Sequence, residues 1–378
     1  MNNSIRQISQ VFVGSAIALT TFSIQPVTTA SSYNQIFIFG DSLVDPGNLF
    51  NLTGGLGIPS GFDGGRFSNG PVWSEYFAEA LGLEPELWIK RDLDGQLQFI
   101  PDIPSDGINF AIAGANTNHT HIGGIVPIGL RQQVDYFTQS LLGGERLNNP
   151  QALGVLTAGP NDYIGGELNP KIPVGNLSTG IDDLLKAGLK NILVGNLPDL
   201  GQTPLGKTPV ELTLEDGTVV SFDRSGILTE LTIAHNNLLE KSLKNLSRLN
   251  PDANLILFDF YSSFNNILGN LDEFGFINDS CTNIDLIITQ NLEPDPLFRE
   301  GCSNDLNDLN DLNIQNQFLF FDNQHPNTEA HRLIAAEALR TVSTPEPTII
   351  PALGFLGMGL LAFKGRPKKK EEKMVVAK

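Results

Sequence analysis

The sequence is poor in the residues that metal centres and nucleic-acid surfaces require. Its 378 residues include two cysteines and five histidines, and the histidines at 119, 121, 235, 325 and 331 are scattered. Zinc sites need three or four such ligands brought together, so no metal constellation is legible and no cofactor is implied. Basic residues are also scarce, 24 against 42 acidic ones, for a net charge of −18. The ends of the chain mask part of that imbalance, because residues 31–363 hold 16 basic and 40 acidic residues. Such a surface repels phosphate backbones and anionic lipid headgroups, which argues against nucleic acid as a partner and favours neutral substrates. No apolar run reaches the ~20 residues of an ordinary membrane span. What is present is a hydrophobic fraction of 40% with only 17% charged residues, enough for a sizeable core in one large domain.

The two ends have their own patterns. Arg6 precedes an apolar stretch from Val11 to Ile24, and small residues through Val27-Thr28-Thr29-Ala30 follow. That order of positive, apolar and small segments reads as a signal peptide over residues 1–30, with cleavage after Ala30. The other end reads Thr344-Pro345-Glu346-Pro347, then an apolar run from Thr348 to Phe363, then a basic cluster from Lys364 to Lys370. A short apolar segment before positive charge suits a membrane stop. The segment 343–378 resembles the PEP-CTERM sorting signal of bacteria that make extracellular polysaccharide. The resemblance implies transient membrane anchoring, processing by a dedicated sorting enzyme, and delivery to the cell envelope or beyond.

Between the ends, apolar strand-like runs alternate with helical patterns. Gln35-Ile36-Phe37-Ile38-Phe39, Ile108 to Ile112, Leu153 to Leu156, Ile192 to Val194, Leu255 to Phe258 and Phe318 to Phe321 read as buried strands. Helical spacing marks Val72 to Leu81 behind Pro71, Leu130 to Leu141, Asp182 to Leu189, a long helix carrying Ile227, Leu231, Leu238, Leu239 and Leu246 on its inner face, and Ala330 to Arg340. Repeated strand-helix-strand units predict an α/β fold with a parallel sheet of about five strands and helices on both faces. Residues 205–222 contain an Asp216-Gly217 turn between apolar segments and read as a small inserted hairpin. The tract from Ser303 to Asn313 repeats Asn-Asp-Leu three times. Its carboxylates three apart do not match the alternating ligands of an EF-hand, so it reads as a solvated loop.

Ser42 follows the first strand in Gly40-Asp41-Ser42-Leu43, and His325 follows the last in Phe321-Asp322-Asn323-Gln324-His325-Pro326. Open parallel sheets bind ligands at the carboxyl ends of their strands, which would place both residues on one edge. Asp322 lies three residues before His325, near enough for its carboxylate to orient the imidazole. Two further blocks follow predicted strands: Asn109-Phe110-Ala111-Ile112-Ala113-Gly114-Ala115 and Gly159-Pro160-Asn161-Asp162-Tyr163.

With these blocks, with Phe39 to Asn48, with Gly65-Arg66-Phe67-Ser68-Asn69-Gly70 and with Asn196 to Gly201, the chain resembles the GDSL family, also called SGNH hydrolases, across residues 33–340. The resemblance implies a flavodoxin-like three-layer α/β/α domain over 31–342 that hydrolyses acyl esters, whether as lipase, esterase or deacetylase of an exported polysaccharide. It implies Ser42 as nucleophile, His325 as base, Asp322 as its orienting group, and an oxyanion hole formed by the backbone N–H groups of Ser42 and Gly114 with the Asn161 side chain. Asn327 stands where the family often has threonine and is expected to cap the last helix. A different class, a non-catalytic surface binding protein on the same fold, would be expected to have lost Ser42, Asn161 or His325. All three are present.

The remaining features have plainer readings. His119 and His121 sit in a glycine-rich loop and are expected to face solvent, while His235 and His331 lie inside helices and serve packing or exposure. Cys281 and Cys302 would close a short loop in an oxidising compartment, and export favours that pairing over two reduced thiols.

Overall fold

The computed structural model describes residues 33–56, 62–213, 216–282, 302 and 309–343. The expected signal peptide, the tail beyond Ser343 and the first half of the Asn-Asp-Leu tract lie outside the described residues.

Six strands form the central sheet: β1 (Gln35–Gly40), β2 (Glu86–Leu87), β3 (Gly107–Asn109), β4 (Ala152–Thr157), β5 (Asn191–Gly195) and β6 (Asn254–Phe258). Their order is β6-β5-β4-β1-β3-β2, and every neighbouring pair is parallel. Without the two-residue edge strand β2, which the sequence reading missed, this is the flavodoxin order. The chain leaves β1 toward one side, through β2 and β3, and returns to the other through β4, β5 and β6. β1 is therefore flanked by connections that diverge, the position at which such sheets open a crevice.

Burial on both faces explains the apolar strands. Phe37 and Phe39 of β1, Leu156 of β4, and Ile192 and Val194 of β5 face one core. Ile36, Ile38, Leu153, Val155 and Leu193, the alternate residues, face the other. Helices Leu130–Asp135, Lys171–Lys186 and Arg224–Leu249 close the first side through Val134, Leu177, Ile181 and Leu239. Trp73–Ala80, Phe260–Gly269 and Thr328–Ser343 close the second through Phe77, Phe264 and Ile334. The result is the expected three-layer α/β/α arrangement. Under β1, Phe39 stacks on Phe110 at 5.0 Å and meets Phe137 edge-on at 5.7 Å. Removing such a ring costs about 3–5 kcal/mol, so this cluster anchors the strand that leads to Ser42.

The inserted hairpin is present as Val210–Thr213 paired antiparallel with Val219–Phe222. Several details differ from the sequence reading. Phe318–Phe320 does not join the central sheet but pairs in parallel with Ile277–Ser280 as a separate two-stranded ribbon. Leu309–Gln315 is helical, so the second half of the Asn-Asp-Leu tract is not a loop. Ile227 points outward, 47% exposed, because the inner stripe of its helix runs through Leu228, Leu239, Leu243 and Leu246. Another unrecognised hairpin joins Ile89–Arg91 to Leu97–Phe99. Cys281 and Cys302 form a disulfide, with Cα atoms 5.8 Å apart.

Candidate active site

β1 ends at Gly40, where a side chain is excluded by close approach: a Cβ would lie 2.3 Å from the Thr157 carbonyl oxygen and 2.7 Å from Val44. The buried amide of Gln133 holds this point from the helical side, accepting from Gly40 N–H and donating to Gly40 C=O, both at 2.8 Å. Ser42 follows at once and is itself largely buried. Its Oγ lies 2.7 Å from His325 Nε2. His325 Nδ1 lies 2.7 Å from Asp322 Oδ2, and the other oxygen of that fully buried carboxylate accepts from the backbone N–H groups of Gln324 and His325. With Nδ1–H donated to the carboxylate, Nε2 is left to accept the serine proton.

The loop carrying His325 is fixed independently of Ser42. Phe321 N–H donates to His325 C=O at 2.8 Å, and Ser68 Oγ donates to Pro326 C=O at 3.0 Å. Phe67 packs on the imidazole with ring centres 5.2 Å apart. The stretch bearing Phe67 and Ser68 is pinned by Arg66, whose Nε and Nη2 donate to the two carboxylate oxygens of Glu75 at 2.8 and 2.7 Å. Asn327 caps the last helix as expected, its Oδ1 accepting from Ala330 N–H at 2.7 Å.

The electrophile's side of the site comes from the loops after β3 and β4. Gly114 has φ +81°, a conformation side chains rarely adopt, and a Cβ there would meet His121 Nε2 at 2.3 Å. Neither the Ser42 nor the Gly114 N–H is used in a backbone hydrogen bond among the described residues. Asn161 Nδ2 donates one hydrogen to Ala115 C=O at 3.0 Å, which orients the amide and leaves its second hydrogen free. Ser42, Gly114 and Asn161 all line the cleft beside His325. Three unspent N–H donors around a hydroxyl that is already paired with a base form the arrangement an acyl-transfer oxyanion needs.

His121 does not face solvent as the sequence reading had it; it is buried, with 8% exposure. Its Nδ1 accepts from Gly123 N–H, so Nε2 carries the hydrogen and donates to Ala113 C=O at 2.7 Å. Burial holds its pKa below the usual histidine range, against the opposing pull of that carbonyl. The ring is a neutral prop under the Gly114 turn. His119 does stand exposed, and its ring lies 3.4 Å from Asp135. His235 and His331 are buried, His235 Nδ1 sharing a 2.7 Å hydrogen bond with Tyr163 Oη and His331 Nδ1 accepting from Trp73 N–H at 3.2 Å.

Three further residues hold the site together and went unassigned in the sequence reading. Asp45 accepts from the N–H groups of Gly47, Asn48 and Leu49 in its own loop and from Ala113 in the loop after β3. Asn48 Nδ2 donates to the carbonyls of Asn109 and Ala111, while Asn109 Nδ2 donates back to Val44 C=O. Buried side chains that answer backbone groups in another loop leave no periodic trace in sequence. Their composition was the signal, because Asp and Asn are expensive to bury without such partners. Burial pushes Asp45 up to about 6 despite its backbone donors, and pushes Asp41 up to about 7, with Leu43 N–H opposing.

The model of the GDSL-like lipase/acylhydrolase family matches residues 36–338. One GDSL esterase/lipase of Arabidopsis thaliana is 24% identical over 362 residues, covering 86% of this chain and 93% of that protein. A second from the same plant, the GDSL esterase/lipase APG, is 26% identical over 356 residues, covering 84% and 93%. Among solved structures, a member of the lipolytic G-D-S-L family from Veillonella parvula superposes with a TM-score of 0.38 and 14% identity, covering 82% of this chain and 98% of that one. With the family match spanning nearly the whole described domain, the chain belongs to the GDSL-like lipase/acylhydrolase family.

Proposed function

We propose that this protein is an exported carboxylic ester hydrolase that works through an acyl-enzyme on Ser42. The observation that carries this reading is the continuous relay from Ser42 Oγ to His325 Nε2 and from His325 Nδ1 to Asp322, each contact 2.7 Å, beside the free donors of Ser42, Gly114 and Asn161. In the reading, His325 takes the serine proton as Oγ attacks the ester carbon. The carbonyl oxygen collects negative charge against the Ser42 and Gly114 N–H groups and the Asn161 amide. His325 then returns the proton to the departing alcohol, and a water repeats the sequence to release the acid. Asp322 fixes the tautomer and supports the transient imidazolium without taking the proton.

Export is part of the proposal and is supported by the leader pattern, the tail pattern and the disulfide, since such bonds persist mainly outside the reducing cytoplasm. The tail's resemblance to a polysaccharide-producer's sorting signal also makes acetylated exported glycan a substrate to assay. The test is hydrolysis of nitrophenyl acetate, butyrate and longer esters, and of acetylated polysaccharide, by the wild type beside Ser42→Ala and His325→Ala. Activity abolished in both variants supports the serine mechanism. A wild type no better than its variants on all of these substrates overturns it and leaves a binding role on this fold. The mass of the exported protein tests processing: termini at Ser31 and near Pro347 support it, and an intact tail opposes it.

A further inference from the structure

Four large apolar side chains that the fold leaves exposed, Leu168 (68%), Val210 (37%), Phe222 (45%) and Ile227 (47%), line one cavity. It holds about 240 Å³ and lies between the inserted hairpin and the helix Arg224–Leu249. The hairpin's register pairs Val210 directly with Phe222, so both stand on the same face of that ribbon. A two-stranded ribbon is stable only when it covers something, and here its apolar face is covered incompletely. Apolar surface concentrated in this way marks a place where another apolar body sits. The cavity wall includes one charged residue, Arg224, and no carboxylate, although the chain carries 42 acidic residues.

This cavity borders the active-site cleft. Ile164, Leu205 and Leu228 line both it and the cleft that contains Ser42, Asn161 and His325. The cleft on that side is itself walled by Leu200, Phe260 and Phe264. The cleft at Ser42 and the second chamber therefore adjoin across three shared apolar side chains.

We infer that the chamber between the hairpin Val210–Phe222 and Ile227 is the distal subsite for the acyl chain of the ester, and that the enzyme is built for long-chain acyl substrates. The inference rests on the ester-hydrolase reading above and adds the class of acyl group. At ~30 Å³ for each group the size of a water molecule, the chamber has room for about eight such groups, beyond those the cleft next to Ser42 accommodates. Each methylene buried there is worth about fourfold in kcat/KM. Ile227 and Phe222 are specificity-determining residues in this arrangement, remote from the bond that breaks.

The experiment compares kcat/KM for nitrophenyl acetate, butyrate, octanoate and dodecanoate, each below its aggregation limit, in the wild type, Ile227→Trp and Leu93→Trp. Leu93 is fully exposed in the other hairpin and serves as the control. The expected result is a rise of tenfold or more from butyrate to dodecanoate in the wild type and in Leu93→Trp, with the dodecanoate-to-butyrate ratio falling at least tenfold in Ile227→Trp. A wild-type profile that is flat or falls beyond butyrate, or an Ile227→Trp ratio equal to wild type, overturns the subsite. If sedimentation then shows a dimer that Ile227→Trp dissociates, the patch belongs to a second copy of the chain. Failure to hydrolyse any of the four esters is a separate outcome, which takes down the hydrolase reading itself and the subsite with it.

Discussion

The side-chain amide of Gln133 closes a pair of 2.8 Å hydrogen bonds with the backbone N–H and C=O of Gly40, two residues before Ser42 and 93 residues away in sequence. Parallel strands run out of ladder partners at their ends, and the last peptide of β1 is completed by this side chain. Gln133→Leu is expected to leave the buried Gly40 N–H unpaired while Gly40 C=O keeps its bond from Ile112 N–H, costing about 1–3 kcal/mol of stability at most. Because Gly40 sets where Ser42 stands, kcat should fall by about tenfold with little change in KM. Equal stability and unchanged kcat would remove Gln133 from the positioning of the site.

Asn161 tests the charge-stabilising side of the proposed mechanism. Asn161→Ala removes a donor that is oriented by its own bond to Ala115 C=O, and a loss of ~10²–10³ in kcat is expected, as for other single oxyanion donors. Asn161→Asp should do worse than alanine, since it sets a carboxylate where negative charge develops. Steady-state kinetics of both variants on one ester decide the ranking, and a near-normal Asn161→Ala would discard the assignment.

Gly114 and His121 should behave as a coupled pair. Gly114→Ala meets the imidazole and carries the strain of φ +81°, a combined penalty of about 2–4 kcal/mol. His121→Ala in the same chain removes the clash but not the strain. The double variant is expected to lose less stability than the sum of Gly114→Ala and His121→Ala measured singly, read as urea midpoints. Strict additivity would show that the ring is not what blocks a side chain there.

Asp41 gives a dependence on pH with a definite sign. Burial raises it to about 7 in the folded protein against 3.8 for the free group. Between these values the folded state holds a proton that the unfolded chain has released, so Asp41 makes stability fall as pH rises through that window. Below about pH 4 both states are protonated and the penalty is absent. Asp41→Asn cannot ionise, so its stability relative to wild type should increase from pH 4 to pH 8 by on the order of a few kcal/mol at most. Denaturant melts at both pH values measure it, and a constant difference between the two proteins would contradict the shift.

Replacing Cys281 and Cys302 together by serine should cost ~3 kcal/mol, the scale for opening a loop of this size. The bond also has a local task. Cys281 and Thr282 N–H groups donate to the Phe320 and Phe321 carbonyls, immediately before Asp322. Thermal inactivation of ester hydrolysis should therefore accelerate in the double variant at temperatures where the fold, followed by circular dichroism, is still intact.

The parts of this protein that were legible in sequence are those governed by periodicity or by compact local blocks. Apolar runs located β1, β4, β5 and β6, and short blocks located Ser42, Gly114, Asn161, Asp322 and His325, which the fold brings together. Strand β2 escaped because two residues have no period, and the pairing of Phe318–Phe320 with Ile277–Ser280 escaped because an apolar run does not state its neighbour. His121 was misjudged for a different reason. A glycine-rich stretch predicts exposure on average, yet this loop folds back under Gly114 and buries the ring. Gln133, Asp45 and Asn48 act on backbone groups tens of residues distant, and no local pattern announces such a bond.

Ser42, Gly114 and Asn161 lie within a few residues of the ends of β1, β3 and β4, which are neighbours in the sheet. Adjacent strands repeat every 4.7–4.9 Å because of the peptide unit and not because of any side chain. The site thus takes its gauge from a lattice common to all polypeptides, and the outer helices act on it only through particular residues such as Gln133.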